Sequence, residues 1–193
     1  MNSLAVSDGV LLIAMLFIVT RTSSAVALRL GAAVFAAAAF LGVLRFSSVL
    51  PLLGMHTFFS GLGASAAFPL IAAAFLWPDA LLARSWRFAS IFLVIAGALG
   101  LVAAALDFSL WGKIVALVSL LALVMRSVLS KNYMALIANT ILLLGLILFA
   151  KQFSVEPYLQ PGDFLHLLMA IGLLLLNYSW REQVLNNSRG LHR

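Results

Sequence analysis

The chain has 193 residues, 64% hydrophobic and only 9% charged, with a net charge of +6 and no cysteine. Soluble chains average about 25% charged residues, so this composition excludes a water-soluble domain and leaves lipid as its solvent. The absent cysteines exclude disulfides, thiolate metal sites and cysteine nucleophiles. Basic residues stand singly or in pairs between apolar runs, which excludes a phosphate-binding patch and a nucleic-acid partner.

A helix needs about 20 apolar residues to cross the hydrocarbon core. Seven runs qualify in chain order: 6–20, 29–45, 51–76, 88–106, 111–128, 132–150 and 163–180. The first lacks a basic leader and a small-residue cleavage site, so it is read as a helix and not a signal peptide. The second lies between Arg29 and Arg45. The third is long, and Pro69 is expected to kink or tilt it, neighbouring helices satisfying the freed carbonyl. Trp77-Pro78-Asp79 ends it, and only Asp107 to Leu110 separate the fourth run from the fifth. The runs are continuous and rich in Ala and Leu without period-two alternation, which argues against a β-barrel. The expected fold is all-α, a single seven-helix transmembrane bundle over residues 1–180, followed by a short basic cytoplasmic tail, 181–193.

Charge sets the expected orientation. With seven spans, one side carries Arg45, Lys113 and Lys151, and the other carries the nine remaining basic residues, Arg21, Arg29, Arg84, Arg87, Arg126, Lys131, Arg181, Arg189 and Arg193. The positive-inside rule places the second group in the cytoplasm and the N-terminus outside. The expected location is the cell membrane, specifically a bacterial inner membrane. Gly61 with Ser65, and Gly63 with Ala67, are four-residue small pairs that allow close helix packing.

Ionisable groups within spans are costly and point to function. His56 lies early in the third helix, Asp163 and His166 on the first turn of the seventh, and Asp8 in the first. Arg45 ends the second and Asp107 closes the fourth. All belong to one end of the bundle. One reading makes Asp8, Asp107 and Asp163 helix caps, each preceding an apolar run. A second makes His56, Asp107, Asp163 and His166 a zinc site that activates water for hydrolysis at the membrane surface. Asp163 and His166, three apart, then face one neighbour. An acyl lipid is the natural substrate, with Arg45 and Ser60 as its anion or substrate contacts. A third uses the two histidines as axial haem ligands.

The stretch Gln160-Pro161-Gly162-Asp163-Phe164-Leu165-His166 resembles the last-helix signature of uncharacterised bacterial seven-helix membrane proteins, as does the early histidine in Met55-His56-Thr57. More distantly, the helix count and the placement of these residues look like the superfamily of alkaline ceramidases and adiponectin-type receptors. That resemblance implies a zinc-dependent hydrolase of lipid amides or esters. The superfamily pairs two histidines four apart in its final helix, where this chain has Ala170; its serine precedes the histidine, whereas Ser60 follows His56. The non-enzymatic alternative is a membrane subunit or scaffold whose polar cluster shapes packing.

Overall fold

A computed structural model describes residues 2–21 and 23–190, with side chains as far as residue 180. Among the described residues, seven helices are long and apolar enough to cross a membrane: α1 Ser3–Thr20, α2 Val26–Phe46, α3 Leu53–Leu76, α4 Trp86–Ala105, α5 Trp111–Leu129, α6 Tyr133–Ala150 and α7, whose membrane segment is Pro161–Trp180. A single helical turn, Leu81–Arg84, sits between α3 and α4. The expected spans hold to within three residues at each end. The first helix starts three residues before its apolar run because the Asn2 side chain accepts from Leu4 N–H and caps it. The last helix continues to Gly190. The expected tail therefore starts as helix, and Arg193 lies outside the described residues.

Chain neighbours pack antiparallel. Asp8 meets Gly42 across α1 and α2 at one end, and Arg29 donates to the Val19 carbonyl at the other. Phe35 abuts Gly63, Gly31 abuts Ile71, and Arg45 reaches His56, which orders α2 against α3. In α6 and α7, Gly172 packs on Leu142 while Gly145 packs on Leu168. Sequence order is broken twice: α5 packs on α3 more than on α4, and α7 returns to lie beside α1, parallel to it. Two ends result. The N-terminal end carries the chain start and segments 47–52, 106–110 and 151–160; the opposite end carries 21–25, 77–85 and 130–132.

The apolar core centres on α2 and α3, where Leu28, Leu70, Ile71 and Ala74 are fully covered, and continues into α1, α5, α6 and α7. Helix α4 keeps its apolar faces outward, with Val94, Leu99 and Leu101 more than half exposed. Lipid would cover that surface. In α3, residues Gly63–Ala67 form a π-helical turn that ends two residues before Pro69. The cause is local. Pro69 has no N–H and its ring crowds the carbonyl four residues back, and the wider turn lets Phe68 N–H bond Gly63 instead.

Four helices end alike, with a non-glycine residue in the left-handed region: Ser48 at φ 61°, Asp107 at 55°, Lys131 at 52° and Gln152 at 54°. In each the next amide reaches back five residues, as Phe108 N–H does to Ala103 (2.8 Å) and Phe153 N–H to Leu148 (3.0 Å). This is the Schellman closure, which satisfies carbonyls that a membrane interface leaves short of donors.

Candidate functional site at the N-terminal end

Asp163 is the anchor of the site. Its Oδ2 accepts Gln160 N–H at 2.7 Å, the back-bond of a capping box at the start of α7. Its Oδ1 accepts the Ser7 hydroxyl from α1 at 2.6 Å. The cap expected of this acid is therefore present, and it also ties the first helix to the last. Ser7 and Asp163 are 2% and 0% exposed.

One residue along, Asp8 is 1% exposed. It is not a cap, since it lies a full turn and more inside α1 with Asn2 at the helix start. Its Oδ1 stands 3.2 Å from His166 Nδ1, yet neither carboxyl oxygen has a hydrogen-bond partner. The carboxyl lies flat against the backbone of α2 at Gly42, where a Cβ would fall 2.1 Å from Oδ2. Only glycine leaves room there. His166 and Asp163, three residues apart, both face α1 as their spacing predicts.

Ser7 Oγ and Asp8 Oδ1 approach the same imidazole nitrogen, Nδ1 of His166, at 3.3 Å and 3.2 Å. A serine–histidine–aspartate relay needs the serine and the acid on opposite nitrogens. The Ser7 hydrogen is moreover already committed to Asp163. Nucleophilic catalysis by Ser7 is thus not what the arrangement offers.

Arg45 and His56 form the other half. Arg45 Nη1 lies 3.1 Å from His56 Nδ1. Arginine only donates, so Nδ1 accepts and the imidazole hydrogen sits on Nε2. Phe46 supports both, its ring 4.7 Å from the guanidinium and 5.6 Å from the imidazole. On α2, Arg45 stands three residues beyond Gly42, where Asp8 packs. Four helices, α1, α2, α3 and α7, therefore converge.

Asp107 and Ser60 stay outside. Asp107 is exposed and is the left-handed residue that closes α4; it does not cap α5, whose first turn has no side-chain cap. Ser60 is exposed along α3. Among the described residues, no three His, Cys, Asp or Glu side chains are placed to hold a metal ion. Sequence reasoning named Asp8 only as a cap and missed Ser7. The signal that could have found them is a Ser-Asp pair one turn inside an otherwise apolar helix.

Below the cluster the interior turns apolar. Between Asp8 and the end of α1 the buried residues are Leu11, Ala14, Met15 and Ile18. On α7, between His166 and Asn177, they are Met169, Ala170, Leu173 and Leu176. Among the described residues, side-chain hydrogen bonds between membrane helices resume at the opposite end, where Ser24 donates to Asn177 (2.5 Å) and Asn139 donates to Ser127 (3.0 Å). No family model, curated protein or solved structure matches this chain.

Proposed function

We propose that this multi-pass membrane protein lies in the cell membrane with its N-terminus outside, and that its outer cluster is a proton-sensing site. The orientation rests on the division of basic residues: Arg45, Lys113 and Lys151 at the N-terminal end against nine on the other side. One observation carries the site: a fully buried carboxyl, Asp8, with no hydrogen bond to either oxygen and an imidazole nitrogen 3.2 Å away.

Charge counting supplies the chemistry. The cluster holds two carboxyls, Asp8 and Asp163, and one guanidinium, Arg45, which leaves one negative charge uncompensated where water is scarce. An uncompensated buried charge costs several kcal/mol. One proton shared between Asp8 Oδ1 and His166 Nδ1 removes that charge and supplies the donor that Asp8 lacks. Proton exchange with the outside runs along His166, whose side chain is 16% exposed. The apolar layer beneath argues for a site that registers protons and against a path that conducts them.

The test is infrared difference spectroscopy on the protein in lipid nanodiscs, stepped through external pH. A protonated-carboxyl band should appear on acidification and vanish in Asp8→Asn. A wild-type spectrum without such a band, or one that keeps it in Asp8→Asn, would overturn the reading. The competing hydrolase reading needs zinc. One equivalent bound to the wild type, and lost in both His56→Ala and His166→Ala, would replace proton sensing with metal-assisted chemistry.

A further inference from the structure

The two halves of α3 are held in different ways. All the buried residues of that helix lie in the π turn or beyond it, and Leu53–Leu62 buries none. This first half packs chiefly on α2. There His56 meets Arg45 at 3.1 Å and the Phe46 ring at 5.6 Å. Its other side lines a cavity of about 490 Å³, shared with the second half of α4 and the start of α5.

That cavity is a wedge. Its narrow end lies at the π turn, where Leu62, Ala64 and Ser65 fill the places that a Cβ would take at Gly97, Gly112 and Gly100. Towards the start of α3 its walls part, and a Cβ added at Gly61 or Gly54 would meet nothing within 4 Å. The narrow end is also where α3 can bend. Pro69 follows the π turn closely, and within the turn Ser65 returns its hydroxyl to the Gly61 carbonyl at 2.8 Å. Proline, π turns and such back-bonds are the usual causes of a kink. Phe35 of α2 fills the Cβ place of Gly63 from the far side. Three helices, α2, α4 and α5, thus grip the turn itself and leave the segment before it held on one flank.

We propose that Leu53–Leu62 is a hinged arm that swings about the π turn, from its seat on α2 into the wedge against α4, with the Arg45–His56 contact as its latch. Met55, ten residues and about 15 Å from Ser65 at helical rise, moves by about 4 Å for a tilt of about 15°. The wedge side of the arm carries the small residues Gly54, Thr57 and Gly61, which lets it approach Leu101 and Ala104 of α4 closely. The swing withdraws His56 from Arg45 and leaves the guanidinium free for another acceptor. It moves no proton, so it stands apart from the proton-sensing reading.

Pulsed electron spin resonance in lipid nanodiscs, at one fixed pH, reads the arm's position through spin labels, since the chain has no native cysteine. Labels at Met55→Cys and Leu106→Cys report arm against α4. Val49→Cys with Leu106→Cys is the control pair, fixed at the end of α2; all three positions are exposed. His56→Phe keeps a ring beside Phe46 and removes the acceptor for Arg45. The Met55–Leu106 distance should then gain a component about 4 Å shorter. Its share relative to the seated arm should rise about ten-fold, as for the loss of one hydrogen bond to a charged group. Arg45→Met should do the same from the α2 side and serves if His56→Phe does not fold. His56→Gln, whose amide can still accept, should keep the arm seated. So should Gly61→Leu, which fills the wedge, when added to either latch variant. An unchanged distribution in either folded latch variant, or a shortening shared by the control pair, would overturn the hinge. So would a swing that persists with Gly61→Leu or appears in His56→Gln.

Discussion

Gly42→Ala probes the Asp8 pocket with a single methyl group. The added carbon would stand 2.1 Å from Asp8 Oδ2 and 2.6 Å from its Cγ, whereas ordinary contact begins near 3.4 Å. The carboxyl must then retreat by 3.4 − 2.1 = 1.3 Å, into α1 and away from α2. Overpacking of this kind costs about 1–3 kcal/mol. Replacing a helical glycine by alanine returns about 0.5–1 kcal/mol, so the expected net loss is about 0–2.5 kcal/mol. Equilibrium unfolding in mixed micelles measures it. The decisive comparison is the same substitution in an Asp8→Ala background, where the obstacle is gone and the methyl should stabilise by the helix term alone. The cycle should therefore show a coupling of about 1–3 kcal/mol, within the range for residues in contact. Equal costs in the two backgrounds would mean that Asp8 does not rest on Gly42, and the buried-carboxyl site would fall with it.

Other outcomes follow from the same geometry. Gly172→Ala should destabilise by about 1–3 kcal/mol, because its Cβ would meet Leu142 at 2.6 Å and the Ala138 carbonyl at 3.1 Å. Gly54→Ala, in open space, should instead stabilise slightly in the same assay. Ser24→Ala should cost about 0.6 kcal/mol, the average for an interhelical hydrogen bond in lipid, by leaving the Asn177 carbonyl without its donor; no change in unfolding would refute a role for that bond. Because the chain has no cysteine, single cysteines at Ser154 and Ser130 report topology directly. Ser154→Cys should react with a membrane-impermeant maleimide on intact cells and Ser130→Cys only after lysis; labelling of both from one side would refute the seven-span arrangement.

The helix count was legible because lipid leaves backbone groups no partner except within a helix, which makes each crossing a long apolar run. The pairing of Asp163 with His166 was legible for a similar reason, since residues three apart must share a face. Helix adjacency was not. Nothing in seven apolar runs says that the last lies beside the first, and that neighbourhood alone turns Ser7 and Asp8 from scattered polar residues into a site. Asp107 misled because an acid before an apolar run reads as an N-cap. In a link of only a few residues the same position can close the preceding helix, and its left-handed backbone decides which. Ser60 shares a helix face with His56, but Arg45 reaches His56 from α2 and leaves Ser60 at the surface.

The contact between α1 and α7 also orders events in time. Asp8 and Asp163 are 155 positions apart (163 − 8), and synthesis proceeds at about 5–20 residues per second. For roughly 8–30 s after Asp8 leaves the ribosome, its helix has no partner that can complete the cluster. Any nascent intermediate therefore holds an acidic helix with an open flank, and the later entry of α7 into the bilayer shuts it. Truncation or stalling before residue 161 would release a six-helix product with that flank exposed, a form that membrane quality control could recognise by the unsealed acid.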